Sequence, residues 1–392
     1  MYDVKQVRKD FPLLEKVTYL DSASTSQTPC QVVNAMNEYF FEYAANYGRG
    51  AYSLVRKTTE RYEGARKQVA DFIGAEESHI IFTRNTTESI NMVALGLEWS
   101  KGDHIVTTII EHHSNLLPWL RLKEKGVRVG IVESNRQGIV NPASIEDAVT
   151  ERTKFIAICH VSNVFGSIQD VEKMAEIAHE NDALFLIDGA QSVGHMPMDV
   201  GKLDCDFLAF PGHKGLLGPQ GTGALYVKDP AQLKPAYVGG GTVRSVTRDS
   251  FELDEPPYCF ESGTQNIPGV IGLGRAVEYV EDVGITDIER HVTSLAQDAA
   301  DRLRALPNVD VYGPTERSGV VSFNIKSINH HDVSMILDDA KICTRSGHHC
   351  AVPAHRFLGV DGTVRASFAM YNTLEEVDML IDAVESIAMG LL

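Results

Sequence analysis

The sequence has no run of basic residues and no interleaving of aromatic with basic side chains. Lys and Arg total 36 against 53 Asp and Glu, a net charge of -17. A surface of that sign repels phosphate backbones and anionic headgroups, which argues against nucleic acid and acidic membranes as partners. Long apolar runs are missing as well. None approaches the roughly 20 residues that span a bilayer, and MYDVKQVRKDFPLL lacks the apolar centre of a secretory leader. The chain is therefore expected to be soluble and cytoplasmic. Cysteine is sparse and unpatterned: Cys30, Cys159, Cys205, Cys259, Cys343 and Cys350 are scattered through the chain, with no Cys-x-x-Cys pair. That spacing excludes a disulfide framework and favours reduced thiols. Repeats and low-complexity tracts are absent too.

What remains is a chain of 392 residues, 43% of them hydrophobic, enough for two domains. A short helix is predicted from Val4 to Asp10, TYLDSASTSQTP as a strand entering a turn, and a helix from Cys30 to about Asn46. NYGRGAYSL reads as a glycine-broken loop, and Val55 to Ile73 as an amphipathic helix. From Ile80 strand-like and helix-like segments alternate as far as LFLID, which calls for a mostly parallel sheet with helices on both faces. Ligands of such sheets sit at the carboxyl ends of the strands. Residues 229–268 are rich in Gly, Pro and polar side chains and read as a long loop region. Helices at about 269–283 and 285–305, a strand at VVSFNI, a helix near 331–339, a loop at RSGHHCAVP and a last helix from Leu374 suggest a smaller α+β domain.

Chemistry-bearing residues gather at the predicted strand ends. The runs LFLIDGAQ and CDFLAFPGHK have the length of buried strands and lead to Asp188 and Lys214. An acid that holds a pyridinium nitrogen and a lysine that forms a Schiff base are what pyridoxal phosphate needs from a protein. Taken alone, they also fit an ordinary buried acid and a surface lysine after a turn. Asn85, Thr86 and Thr87 open a helix, where hydroxyls and free N–H groups suit a phosphate, although such residues equally serve as plain caps. His112 and His113 follow the strand HIVTTI, where a histidine could stack on a flat ring. Asn163 and Gln191 fall at further strand ends.

The motifs YLDSAS, NTTESIN, EHHSNLLPW, HVSN, DGAQSVGHMPMDV, DCDF, GHK, ESGT, GHHCA and RASFAMYNT resemble those of the class V aminotransferase superfamily. More closely, they are similar to group II cysteine desulfurases and selenocysteine lyases of the SUF type. The resemblance implies fold type I of the pyridoxal 5'-phosphate enzymes, α/β, with a mostly parallel sheet between helices and a smaller α+β C-terminal domain. It divides the chain into an N-terminal segment, 1–20, packing with the small domain, a large cofactor-binding domain, 21–262, and a small domain, 263–392. It implies Lys214 as the Schiff-base lysine, Asp188 at the pyridinium nitrogen, Gln191 at the phenolic oxygen and His112 over the ring. Thr86, Thr87 and His213 would hold the phosphate, joined by Thr264 from the other subunit of a homodimer. Arg365 with Asn163 would receive the substrate carboxylate, with Arg345 a further substrate-binding candidate. Two segments depart from the usual family form: Gly48 stands where a histidine is common, and the lysine loop GHKGLLGPQGTG is one residue longer.

Cys350 follows two histidines in a glycine-containing loop with Arg345 nearby, a setting that favours thiolate. Metal ligation by His348, His349 and Cys350, with His330 and His331 as another pair, is a rival reading, but adjacent residues rarely share one tetrahedral site. The resemblance makes Cys350 the nucleophile that takes sulfur from L-cysteine, leaving L-alanine. The persulfide would pass to a small SufE- or SufU-like acceptor or a scaffold in iron-sulfur cluster assembly. The alternative is a selenocysteine lyase acting on L-selenocysteine, which needs Lys214 but a reactive thiol less strictly, or a class V aminotransferase.

Overall fold

The computed structural model describes residues 2–390. Strands whose apolar residues do not alternate with polar ones need cover on both faces, and seven strands satisfy that need in one sheet. They are β1 (Ile80–Thr83), β2 (His104–Thr108), β3 (Arg128–Val132), β4 (Thr153–Cys159), β5 (Leu184–Asp188), β6 (Phe207–Pro211) and β7 (Gly223–Val227). Their spatial order is β1-β7-β6-β5-β4-β2-β3. The strands β2 to β6 associate in parallel, whereas β7 runs against both β1 and β6. One edge of the sheet thus collects the carboxyl ends of β1 to β6. Alternate residues feed separate cores: Ile156, Ile158, Phe185, Ile187, Leu208 and Phe210 join one, and Phe155, Ala157, Leu186 and Phe207 the other. Each large side chain buried in this way stabilises the fold by about 1.5–3 kcal/mol.

A second, antiparallel sheet of four strands has the order β8-β9-β11-β10, with β8 (Val309–Tyr312), β9 (Val320–Ile325), β10 (Arg345–Gly347) and β11 (Thr363–Ser367). Its core takes Val292 and Leu303 from the helix Ile285–Ala305, Val377 and Val384 from the helix Leu374–Ala388, and Val7, Phe11, Leu14 and Leu20 from the N-terminal segment. The helix Ile267–Val283 serves two cores, giving Ile267, Val270 and Val277 to that of the large sheet and Tyr279 and Val280 to that of the small one. Among the described residues no helix is long and apolar enough to cross a membrane.

Several local expectations are corrected. The helix from Cys30 stops at Glu38 and gives way to a wider turn, Tyr39–Tyr43. HHSNLLPWLRLKEKG is not one helix but a tight turn, a short helix Leu117–Arg121 with Pro118 in its first turn, and another tight turn. The long loop after β7 contains an antiparallel hairpin, Val243–Val246 with Phe251–Leu253. Both of its strands are largely exposed, so no apolar alternation announces them. RSGHHCAVP is likewise more than loop: β10 opens it and a helix Val352–Leu358, with Pro353 in its first turn, closes it.

One ion pair ties three distant segments together. Arg66, 1% exposed on the helix Ser53–Ile73, donates two bonds to the Glu261 carboxylate, at 2.6 and 3.0 Å, and one to the carbonyl of Ile80 at 2.9 Å. Glu261 also accepts from the Phe82 N–H at 2.8 Å and the Tyr62 hydroxyl at 3.1 Å. Removing one partner strands the other charge in an apolar interior, a loss of about 3–5 kcal/mol. Glu261→Gln or Arg66→Met should lower stability by that amount in chemical denaturation. By contrast, Asp71→Asn, which breaks the exposed pair Lys67–Asp71, should leave the denaturation midpoint nearly unchanged.

Candidate active site

A cavity of about 240 Å³ opens at the collected carboxyl ends. Every residue proposed for the site from sequence lines it except Thr264. Thr264 lies in a separate cleft with Tyr47, Gly48, Arg49 and Tyr258.

At the end of β1 the Asn85 side chain accepts the Glu88 N–H at 3.0 Å and so caps the helix Thr86–Gly96. Capping by Asn85 leaves the two threonine hydroxyls for other partners. Thr87 bonds Ser114 Oγ at 2.7 Å, but the buried Thr86 Oγ1 has no partner among the described residues, nor has Nδ1 of His213. Buried polar atoms left unpaired cost about 1–3 kcal/mol each. Here they share a cavity with a helix N-terminus, whose dipole favours an anion. An oxygen-rich anionic group would satisfy all of them.

Asp188, 4% exposed at the end of β5, accepts the Ala190 N–H at 3.0 Å. Burial raises its pKa while the Lys214 ammonium opposes that rise. Lys214, half-buried after β6, has its pKa pulled down to about 8 by burial, against the pull of Asp188 and with help from Arg365 and Arg345. The turn that carries it packs backbone to backbone: a Cβ on Gly194, whose φ is +85, would come within 2.2 Å of the Gly215 carbonyl carbon. Beyond it Leu216 enters the core of the large sheet and Leu217, at φ +60, that of the small one. The longer lysine loop is thereby anchored in both cores.

His112 accepts the Ser114 N–H at Nδ1, 3.1 Å away, which puts the proton of the neutral ring on Nε2. Burial and the Lys214 charge hold its pKa at about 3, so the ring stays neutral at physiological pH. Gln191 donates to the Ala23 carbonyl at 2.9 Å and Asn163 to that of His349 at 2.7 Å. Arg365 is fixed by the Asn163 carbonyl at 3.1 Å, Asp21 at 3.1 Å and Ser24 at 2.6 Å, while its buried Nε keeps no partner among the described residues. Arg345 reaches the same Ser24 hydroxyl at 3.0 Å. Asp21 and Ser24 were missed as supports of both guanidiniums; their only signal was the run of small polar residues in YLDSAS.

Cys350 is exposed at the wall formed by Arg345 and His349. Its backbone and that of His349 are left-handed, at φ +55 and +50, a conformation that costs residues other than glycine about 1–3 kcal/mol each. The Cys350 carbonyl accepts the His113 N–H at 2.7 Å. Among the described residues no group of three or more His, Cys, Asp or Glu side chains is arranged to hold a metal ion.

The fold and this cavity have known counterparts. Residues 18–380 match the aminotransferase class-V family model, and the chain belongs to that family. It is 49% identical to a protein named probable cysteine desulfurase from Methanothermobacter thermautotrophicus, over 98% of each chain. Among solved structures it is similar to the apo cysteine desulfurase of Thermococcus onnurineus, with a TM-score of 0.97 and 46% identity over 100% of this chain and 99% of that one. The cysteine desulfurase CsdA of Escherichia coli, in an S-sulfonic acid form, gives a TM-score of 0.94 and 37% identity over the full length of both.

A lysine of pKa about 8 is protonated below that pH and becomes a nucleophilic amine above it. The rate at which apoprotein takes up pyridoxal 5'-phosphate, followed by absorbance, should therefore rise with pH about a midpoint near 8. A midpoint near the ordinary lysine value of about 10.4 would contradict a depressed Lys214, and Lys214→Ala should show no such uptake.

Proposed function

We infer that Cys350 is the sulfur acceptor of a pyridoxal 5'-phosphate-dependent cysteine desulfurase. The enzyme is a cysteine desulfurase, and its cofactor is pyridoxal 5'-phosphate. The observation that carries the assignment of Cys350 is that its exposed loop shares one cavity with the Asp188 and Lys214 pair.

The donor set fits the cofactor. The unpaired Thr86 Oγ1 and His213 Nδ1, with Thr87, would take its phosphate at the helix N-terminus. The neutral His112 ring would stack on it, Gln191 would bond its phenolic oxygen, and the buried Asp188 carboxylate would keep a proton on its ring nitrogen. When bound, the cofactor supplies an aldehyde for the substrate amine and a ring that takes up an electron pair. Arg365, already fixed by Asp21 and Ser24, would receive the substrate carboxylate with Asn163, and Arg345 would add charge from the mouth. Lys214, as the free amine favoured by its depressed pKa, would accept the α-proton. The Cys350 thiolate then attacks the substrate sulfur: an S–S bond forms, the Cβ–S bond breaks, and its electron pair leaves with carbon. Protonation of that carbon yields L-alanine, and Cys350 holds the persulfide.

The same reading extends to partners. Thr264, away from its own chain's cavity, would reach the phosphate of a second copy in a homodimer. The exposure of Cys350 suits transfer to a small sulfur acceptor or scaffold of the SUF type, in iron-sulfur cluster assembly. Six cysteines without a disulfide among them suit the cytoplasm. The large domain, 21–262, would bind the cofactor, and the small one, 263–392, would bring the nucleophile.

Cys350→Ala should retain the yellow bound cofactor but lose at least about 100-fold in sulfide release from L-cysteine in the presence of thiol reductant. Unchanged release would remove Cys350 from the reaction. L-Selenocysteine, which differs from L-cysteine at one atom, serves as a parallel substrate: release from it that survives the substitution would point to a lyase in which this thiol is dispensable.

A further inference from the structure

Beside the Cys350 loop lies a chain of buried side chains that the reaction outlined above does not use. Thr363, at the start of β11, has its hydroxyl between two imidazoles, 2.9 Å from His349 Nε2 and 3.2 Å from His355 Nε2. All three residues are buried. His355, on the helix Val352–Leu358, places Nδ1 3.0 Å from the carbonyl oxygen of Ala351.

The partners fix the direction of every bond. A carbonyl only accepts, so His355 Nδ1 carries a proton. Burial keeps the ring neutral, which leaves Nε2 bare, and that atom must accept from Thr363. A hydroxyl has one proton. With it committed to His355, Thr363 can only accept from His349, whose proton therefore sits on Nε2. His349 Nδ1 should then be bare. It is buried without a partner among the described residues, so that tautomer leaves an unpaired acceptor there and no unpaired N–H. The bonds run His349 to Thr363 to His355 to the Ala351 carbonyl, beginning and ending on the two residues that flank Cys350.

The closed ring surrounds a turn that the backbone disfavours, since His349 and Cys350 are both left-handed. The Asn163 side-chain amide donates to the His349 carbonyl and the His113 backbone N–H to the Cys350 carbonyl, holding one side of that turn. The ring supplies the other side.

We propose that Thr363 and His355 are positioning residues, which hold the strained His349–Cys350 turn so that the thiol faces the substrate sulfur. Neither lines the cavity, so they touch neither cofactor nor substrate and act through the turn. The proposal rests on Cys350 being the sulfur acceptor.

The test compares Thr363→Val, which keeps shape and removes the hydroxyl, with Thr363→Ser, which keeps the hydroxyl, in holoenzyme. Thr363→Val should lower kcat for sulfide release by about 10- to 100-fold, the scale of a displaced reacting group. KM for L-cysteine and the absorbance of the bound cofactor should stay as in the parent, and Thr363→Ser should keep most of kcat. A Thr363→Val enzyme with parental kcat, a loss that follows cofactor content, or an equal loss in Thr363→Ser would each overturn the proposal. If Thr363→Val gives no soluble protein, His355→Asn takes its place under the same criteria, keeping a donor for Ala351 while removing the acceptor for Thr363. Cys350→Ala is run alongside. Full activity there defeats the assigned nucleophile, whereas loss there with a parental Thr363→Val defeats only the positioning role.

Discussion

A buried carboxylate persists in its charged form only where a cation or a set of donors answers it. Asp188, at the end of a central strand with a single backbone donor, has Lys214 as its answering charge within the protein. The arrangement suits a site that receives a cationic ring. The two groups come from adjacent parallel strands, β5 and β6, and the rest of the cavity follows from that pairing. Strands that run the same way deliver their ends to one edge, so residues far apart in sequence meet there without any loop having to search for its partner.

How much of this was legible in the sequence differs by residue. Asp188 and Lys214 could be read because unbroken apolar runs mark buried parallel strands and the first polar residues after such a run stand at a known edge. Thr86 and Thr87 could be read because a helix start declares itself through Asn85. Asp21 and Ser24 could not, because their roles exist only through contacts across hundreds of residues, as between Asp21 and Arg365; nor could Thr363 and His355, whose bonds span only 14 and 8 residues but join a strand to a loop and a helix with no periodicity to mark them. The exposed hairpin at Val243–Val246 escaped for a different reason. Its burial is too slight to impose a pattern, so propensity and turn chemistry had nothing to reinforce.

The Cys350 loop and the lysine turn solve opposite problems. The lysine turn is made rigid by removing side chains: Gly194 and Gly215 allow two backbones to touch. In the Cys350 loop, bulky residues occupy backbone conformations normally left to glycine, and surrounding hydrogen bonds keep them there. A turn packed by omission has one arrangement. A turn held by bonds keeps its side chains, and with them the His349 ring and the Cys350 thiol at the cavity wall.

The Arg66–Glu261 pair has a further consequence at the margin of the large sheet. There β1 is hydrogen-bonded to β7 on one side only, and an edge strand ordinarily offers its outer N–H and C=O groups to any passing strand. The Phe82 N–H is taken by Glu261 and the Ile80 carbonyl by Arg66. Two charged side chains from elsewhere in the chain thus stand in for the missing neighbour, and an acid and a base do the work of a covering strand against edge-to-edge aggregation.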